Sequence, residues 1–410
     1  KILIGLIAGI IVGIILNLTN QAEIANTYIS PFGTLFLNLI KMVIVPLVFA
    51  SLVMGACGLG DIKKVGRIGG KTIVYFLCTT AFAVILGLII GKIFKVGTGI
   101  TLPADVTYEA AESTGFVETL LNIIPTNPFK ALVDGNMLQV IAFALFVGVG
   151  IAVVGPKAEN FKKGMEGFAE VMYTIIGGIM KLAPYAVFCL IIPVVASQGI
   201  SVLAPLGMLI LAVYLACILH AVLVYSFTVK AFAKMSPIDF FKAAMPASLF
   251  AFTTASSSAT LPFSMESAQK LGVSPQVRSF VLPLGATINM DGAAITITIM
   301  TLAAANTLGI QVSLPAAIVL SAMSALGACG ASGVAGGSLL LIPMACSLFG
   351  ISNDVAMQMV GVGFIIGVVQ DSVETALNSA GDVEFAATAE YHQWRKQGKP
   401  LPEFLTGKKN

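Results

Sequence analysis

The chain has 410 residues, of which 57% are hydrophobic and 10% are charged, and its net charge is +3. A soluble globular domain has about 25% charged residues, so this composition excludes an ordinary water-soluble protein and fits a chain whose solvent is mostly lipid. The small net charge gives no reason to expect a nucleic-acid partner, and the six cysteines, scattered singly through apolar segments, argue against disulfides or a cysteine-ligated metal.

Apolar runs of about twenty residues recur along the chain and predict an all-α polytopic membrane protein. The short alternating segments of a β-barrel are absent from the sequence. The first six spans are expected at about 2–18, 32–58, 72–94, 137–155, 168–195 and 201–229. Because the chain begins with Lys1 and not with methionine, we expect the natural N-terminus to lie upstream, and the first run to remain as a helix. Basic residues cluster in alternate connections, so the positive-inside rule predicts that both termini are cytoplasmic.

The second half of the chain predicts two further spans and two helical hairpins that re-enter the membrane. Residues 244–264 place a run of hydroxyls between two apolar flanks, and 313–348 place a glycine-rich segment between two apolar flanks. A span at about 279–308 follows the first hairpin, and a span at about 355–380 follows the second. The span at 279–308 is interrupted by GATINMDGAA. Hairpins that enter from opposite faces form an inverted repeat, which indicates a transporter with its site near the bilayer midplane.

The expected organisation has eight spans and two hairpins in seven consecutive parts. These are scaffold spans 1–2 (1–71), span 3 with an extracellular loop (72–136), spans 4–6 (137–230), the first hairpin (231–278), span 7 (279–312), the second hairpin (313–350) and span 8 with a cytoplasmic tail (351–410).

A stripe of polar residues marks the last span. Asp371, Glu374, Thr375, Asn378 and Asp382 share one helical face, because positions three and four apart are neighbours on a helix. An ionised side chain at the bilayer centre costs on the order of 3 kcal/mol, and these spans hold no lysine or arginine to neutralise the carboxylates. Cations and an ammonium group are therefore the expected partners, although Asp382 alone is also compatible with an idle, hydrated position at the helix end.

The other polar residues have structural as well as functional interpretations. Asn289 and Asp291 in the interrupted span predict unwound backbone that lines a cavity and offers oxygen ligands. The serines at 256–258 can cap the hairpin tip or bind a carboxylate, and the glycines of the second hairpin permit a tight turn or a close approach to a ligand. His220 is expected to pack or to form an interhelical hydrogen bond. On pattern alone, the hydroxyls of Thr79 and Thr80 are expected to bond the preceding helical turn.

The motifs SSSATLP, GATINMDG, GASGVAGG and DSVETALNSAGD, in this order, resemble those of the dicarboxylate/amino acid:cation symporter family, the glutamate transporter homologues. The segment PFGTLFLNLIKMVIVPLVFASLVMG looks like the scaffold region of the same family, so the likeness covers nearly the whole chain. This resemblance implies a homotrimer in which a rigid scaffold holds mobile transport domains that move like an elevator. It also implies no enzymatic activity.

The resemblance implies roles for individual residues. Asp371 would hold the substrate's amino group and Asn378 its carboxylate, with contacts from the two hairpin tips and from neighbouring side chains. The implied substrate contacts also include Ser256, Ser257, Ser258, Gly333, Val334, Glu374, Thr375 and Ala293. The resemblance also implies three sodium sites. The first would consist of Asn378 and Asp382 with carbonyls of Gly285 and Asn289. The second would consist of carbonyls of Thr287, Ala328, Cys329 and Ala331, and the third of Asp291, Asn289, Thr79 and Thr80. In some relatives a tyrosine stands where this chain has Phe76.

Three departures from the family pattern bear on the substrate. Acidic-substrate members have an arginine where this chain has Glu374, and some have another where it has Ala255. Ala293 stands where a threonine would help hold a side-chain carboxylate. A substrate carboxylate beside Glu374 would be repelled by several kcal/mol at low dielectric constant, whereas a hydroxyl can donate to it. The resemblance is thus closest to the bacterial serine/threonine symporter branch.

The leading hypothesis is a sodium-coupled importer of serine and threonine in a bacterial inner (cytoplasmic) membrane. Transport of other neutral or acidic amino acids is the nearest alternative. An ion channel lined by the polar stripe is an alternative of a different class, but two gated hairpins favour alternating access. An enzyme ranks last because the sequence holds no serine–histidine, metal–histidine or phosphate-loop constellation.

Overall fold

The computed structural model describes residues 2–65, 67–100, 121, 124–312, 317, 319–320, 322–324, 327 and 336–399. These residues form helices and connecting turns, without strands. The main helices are α1 (Ile2–Leu18), α2 (Ser30–Val65), α3 (Arg67–Ile93), α4 (Pro128–Val133), α5 (Met137–Val154), α6 (Glu159–Met180), α7 (Ala183–Gln198), α8 (Leu203–Leu219), α9 (Pro237–Thr254), α10 (Ser257–Lys270), α11 (Pro275–Ile288), α12 (Asp291–Thr307), α13 (Ile342–Ser347) and α14 (Asn353–Lys396).

Several helices are long and apolar enough to cross a membrane. Within the described ranges these are five continuous stretches, or six if the bent helix α14 is counted as one span. The five stretches are Ala22–Met54, Val74–Ile93, Gln139–Met180, Ala183–Ala233 and Val281–Thr307. The chain is therefore a polytopic helical membrane protein. The complete arrangement of eight spans with two re-entrant hairpins includes segments outside the described residues and stays a prediction.

The observed helix ends refine the expected spans. Helix α1 covers the predicted 2–18, whereas α2 and α3 extend beyond the predicted second and third spans. The predicted fifth span, 168–195, is divided: α6 ends at Met180 and α7 begins at Ala183. Pro184 lies in the first turn of α7, where proline is accommodated because the missing N–H would have no intrahelical partner there.

Helix α12 is the centre of the molecule. All its residues from Asp291 to Ala305 are buried, and it packs against α3, α8, α13 and α14. A membrane helix enclosed by protein on all sides can carry polar side chains without exposing them to lipid. The polar residues of α12 therefore face other helices.

Three interruptions occur in the helices of the second half of the chain. Helices α11 and α12 are separated at Asn289 and Met290, as the GATINMDG motif predicts. Helices α9 and α10 form an antiparallel pair whose break contains Ala255 in the left-handed conformation, with φ of 48°. Helix α14 bends by 82° between Gly367 and Val369, just before its polar stripe. Of the predicted second hairpin, the structure describes a few isolated positions and the part from Gly336 onward.

Candidate functional site

The polar stripe of α14 lies inside the protein. Asp371, Glu374, Thr375, Asn378 and Asp382 are each 9% exposed or less, and they face α12, the break before it and the segment that begins at Gly336. The predicted single face is thus confirmed. The position of Asp382 at an exposed helix end is excluded, since its side chain is 2% exposed.

Glu374 is held by a buried network of hydrogen bonds from three elements. Its Oε2 atom accepts from Thr296 Oγ1 of α12 at 2.8 Å and from Ser338 Oγ, just before α13, at 3.0 Å. Gln370 Nε2, one turn earlier on α14, donates both to Glu374 Oε2 and to Thr296 Oγ1. A carboxylate anchored in this way has one orientation, because all three donors converge on the same oxygen.

The three donors were not identified from the sequence. Their contacts join positions up to 78 residues apart, which a local pattern does not reveal. One available signal was that Gln370 lies four residues before Glu374 and therefore shares its helical face. The Oε1 atom of Gln370 is buried and has no hydrogen-bond partner, so the network keeps one unused acceptor.

Asp371 contacts the segment predicted to form the second hairpin. Its Oδ2 atom accepts a hydrogen bond of 2.9 Å from the backbone N–H of Gly336, which has φ of +74°. The side chain is 9% exposed, the highest value in the stripe. Thr375 Oγ1 donates to the backbone carbonyl of Asp371 at 2.8 Å, so in this structure it stabilises its own helix.

Asn378 joins α14 to the start of α12. Its Oδ1 atom accepts from the backbone N–H of Gly292 at 2.8 Å, and its Nδ2 lies 3.4 Å from the sulfur of Met290. Gly292 is necessary here, because a Cβ at this position would overlap the backbone of Glu374. Sulfur is a weak acceptor, so the Nδ2 group retains the capacity to bind a stronger acceptor such as a carboxylate.

Asp371 and Glu374, with their hydrogen-bond partners, are the first polar centre of the site. Asn289 and Asp382 form a second polar centre. Asn289 Nδ2 donates to Asp382 Oδ1 at 3.0 Å and to the carbonyl of Asn378 at 3.1 Å. Asn289 Oδ1 is buried without a partner, and a Cβ on Gly285 would collide with the Asp382 carboxylate. An unpaired amide oxygen beside a carboxylate, with the Gly285 backbone in contact, is a set of hard oxygen donors that fits an alkali cation.

Asp291 forms a third polar centre and is completely buried. Its Oδ1 atom accepts from Thr80 Oγ1 at 2.6 Å and lies 3.4 Å from Thr79 Oγ1. These two hydroxyls also bond the preceding turn of α3, as their pattern predicts. The structure therefore brings together three of the four side chains implied for this sodium site, whereas Asn289 bonds to Asp382 instead.

His220 and Tyr225 complete the surroundings of Asp291. His220 Nε2 lies 3.1 Å from Asp291 Oδ2, which confirms the expected interhelical hydrogen bond, and Tyr225 Oη donates to the same oxygen at 2.8 Å. Both residues belong to a π-helical segment, His220–Tyr225, which follows α8 and resembles the π-bulges often found at functional sites. Tyr225 was missed by the sequence analysis. Phe76 is fully buried and contacts Phe385, so the phenolic hydroxyl of this centre comes from Tyr225.

The remaining implied residues are placed only in part. Ser256 caps α10 by accepting from the N–H of Ala259 at 3.3 Å, and Ser257 is buried in the first turn of the same helix. Ala293 is buried on α12, three residues before Thr296. The side chains of Ser258 and Thr287 lie outside those that the structure describes, as do the residues Ala328, Cys329, Ala331, Gly333 and Val334.

The three centres concentrate negative charge. Among the described residues, neither lysine nor arginine forms an ion pair with Asp291, Asp371, Glu374 or Asp382, and His220 is the only titratable base in contact with them. Buried carboxylates without basic partners favour the binding of external cations. A buried row of acceptors beside two broken helices is the arrangement expected of a membrane transporter that moves cations with its substrate.

The chain belongs to the sodium:dicarboxylate symporter family, whose family model matches residues 1–391. It is therefore a transporter and not an enzyme.

Curated relatives cover the chain almost completely. It is 45% identical over 412 residues to a protein named serine/threonine transporter SstT from Bifidobacterium adolescentis, a match that covers 100% of this chain and 94% of the relative. It is 38% identical to a protein of the same name from Streptococcus thermophilus (97% of this chain, 96% of the relative) and 37% identical to one from Enterococcus faecalis (97% and 94%).

Proposed function

We propose that this protein is a sodium-coupled symporter that imports serine and threonine. The observation that carries the proposal is the Glu374 carboxylate, which is buried and oriented by Thr296, Ser338 and Gln370. The relatives named as serine/threonine transporters support the same substrate class. The family's name refers to dicarboxylates, but an acidic side chain placed beside Glu374 would meet a like charge.

Some of the proposed contacts would bind the ammonium and carboxylate groups that all amino acids share, and others would select the side chain. Asp371 would hold the substrate's ammonium group and Asn378 Nδ2 would donate to its carboxylate. The serines at 256–258 and the tip residues Gly333 and Val334 would close over it. The substrate hydroxyl would donate to Glu374, at the position where a carboxylate binder would need a positive group. Ala293 leaves space beside Glu374 and, unlike a threonine, supplies no hydroxyl that could donate to a carboxylate on the substrate side chain.

Sodium ions would be co-transported with the substrate and would neutralise the buried carboxylates that bind them. Asn378 and Asp382 with the carbonyls of Gly285 and Asn289 would form one proposed site, and Asp291 with Asn289, Thr79 and Thr80 would form another. Carbonyls of Thr287, Ala328, Cys329 and Ala331 would form the third. Asn289 is shared by the first two proposed sites, and its unpartnered Oδ1 supports a cation nearby, because a buried acceptor without a partner is destabilising and a cation would satisfy it.

The proposed transport cycle is an elevator movement in a homotrimer in the bacterial inner membrane, with both termini in the cytoplasm. The driving force is sufficient for import. One net charge that moves down a potential of 100 mV releases about 2.3 kcal/mol, and a tenfold sodium gradient adds about 1.4 kcal/mol.

Uptake of labelled serine into proteoliposomes tests the proposal. We expect accumulation only with an inward sodium gradient, and competition by threonine but not by glutamate or aspartate. Accumulation that is unchanged when choline replaces sodium would refute the coupling. Competition by aspartate at the same concentration as threonine would refute the substrate class. A steady current without substrate would indicate a channel instead.

A further inference from the structure

A large cavity lies between α3, the π-helical end of α8 and the last turns of α14, and of the proposed sodium-site residues it is lined by Thr79. Its volume is about 1060 Å³, slightly above the roughly 300–1,000 Å³ usual for small-molecule pockets. The proposed transport of serine assigns no role to it.

The side walls of this cavity are apolar and open laterally. Val74 of α3 is 62% exposed, Phe82 is 56% exposed and Phe227 is 66% exposed, and all three line the cavity. In a protein that spans a bilayer, a lateral opening lined by exposed aliphatic and aromatic side chains faces hydrocarbon chains.

One end of the cavity is basic. Lys71 Nζ lies 3.1 Å from His392 Nε2, and Lys396, one turn further along α14, also lines the cavity. The positive-inside rule assigns this end to the cytoplasmic surface, whose lipids include anionic headgroups. Basic pockets between membrane helices on that side are recognised sites for phosphate headgroups.

The length of the cavity corresponds to one leaflet. Its wall on α3 runs from Lys71 to Phe82, which is about 16 Å of helix at 1.5 Å per residue. The hydrocarbon core of a bilayer is about 30 Å thick, so one leaflet occupies about half of this distance. An acyl chain that starts at the basic end would therefore reach the level of Phe82.

A sodium route fits the cavity less well. Thr79 lines the inner part and contacts Asp291, so a path to that carboxylate is geometrically conceivable. Two lysines at the entrance would repel cations, however, and the walls are mostly apolar. Both features favour an anionic amphiphile.

We propose that this cavity binds one anionic phospholipid of the cytoplasmic leaflet, with its phosphate between Lys71 and Lys396 and an acyl chain along Val74, Phe82 and Phe227. The proposed lipid contacts include none of the proposed substrate-binding residues, so the site does not depend on which amino acid is carried.

Native mass spectrometry of the purified protein tests the headgroup. With phosphatidylglycerol and phosphatidylcholine added in equal amounts, we expect retention of the anionic lipid at least about fivefold above the zwitterionic one. The double variant Lys71→Gln/Lys396→Gln should lose this preference. The control Lys157→Gln/Lys163→Gln removes the same charge from exposed positions outside the cavity and should keep it. Equal retention of both lipids by the wild type, or an unchanged preference in Lys71→Gln/Lys396→Gln, would overturn the proposal.

A phosphatidylglycerol with a photoreactive acyl chain tests the position of the lipid. We expect its label on the peptides that contain Val74 to Phe82 and Phe227, and reduced labelling in Val74→Trp but not in Val149→Trp, an exposed apolar position on α5. Evenly spread labelling would overturn the proposal. So would disulfide formation between the exposed Cys78 residues of two copies, because a second protein copy would then cover the cavity.

Discussion

At the scale of single residues, Glu374 differs from the other acids of the stripe in what surrounds it. Its oxygen accepts from two hydroxyls and an amide, whereas Asp371 accepts from one backbone N–H and Asp382 from one amide. The sequence predicted that Glu374 sets the substrate. It did not identify Thr296, Ser338 or Gln370, because only tertiary packing brings them to it.

Thr296 should be required for serine affinity through its hydrogen bond to Glu374. We expect Thr296→Val to raise the KM for serine about tenfold, equivalent to about 1.4 kcal/mol, because the carboxylate loses one of its three anchors. The control is Thr298→Val on the same helix, whose hydroxyl, among the described residues, bonds to the backbone of Ala294. Its KM should change less than about twofold. Initial rates of serine uptake measure both, and equal effects of the two variants would contradict the role of Thr296.

The substrate class should depend on Glu374 and Ala293 together. We expect Glu374→Arg/Ala293→Thr to shift the preference from serine to aspartate, because a positive group and a hydroxyl would then face the substrate side chain. The measurement is competition of both amino acids against labelled serine and aspartate uptake. Glu374→Gln, which removes the charge alone, serves as the control and should not transport aspartate preferentially. A double variant that folds and still prefers serine would show that the side-chain pocket lies elsewhere.

At the scale of helices, the breaks follow local sequence signals and the contacts between helices do not. Glycine and asparagine in GATINMDG predicted the interruption at Asn289, and the serine run predicted the break between α9 and α10. The division of 168–195 into α6 and α7 was not predicted. The residues on both sides of Lys181 are apolar, so a hydropathy average over this segment stays high and does not register Lys181 or Pro184 as a break. The π-helical segment that orients His220 and Tyr225 has no comparable signature in the sequence.

The close crossing of α11 and α14 should be essential for sodium dependence. Gly285→Ala would place a methyl group in the position of the Asp382 carboxylate and displace it from Asn289. Overpacking of this kind costs about 1–3 kcal/mol, so we expect the sodium concentration for half-maximal uptake to rise at least about tenfold. Gly177→Ala is the matched control, since a Cβ there meets no atom within 4 Å. If both variants keep the wild-type sodium dependence, Asp382 is not a sodium ligand.

At the scale of the whole molecule, composition and basic clusters predicted a polytopic helical protein and its membrane topology. Hydropathy averages register the segments that cross the bilayer, and the structure agrees for the helical class and several spans. Hydropathy carries little information on which helix is central. The position of α12, enclosed by its neighbours from Asp291 to Ala305, depends on side-chain packing between distant segments.

The unpartnered oxygen of Asn289 beside Asp382 has a consequence for the folding equilibrium. An ion that binds only the native chain stabilises it by an amount that grows with the logarithm of its concentration, about 2.7 kcal/mol at one hundred times the dissociation constant. We expect the thermal unfolding temperature in detergent to rise with NaCl, relative to choline chloride at equal ionic strength. Asp382→Ala should lose most of this increment, and a wild-type protein equally stable in both salts would contradict it. The coupling ion would then also be a ligand that determines how much of the protein is folded in the membrane.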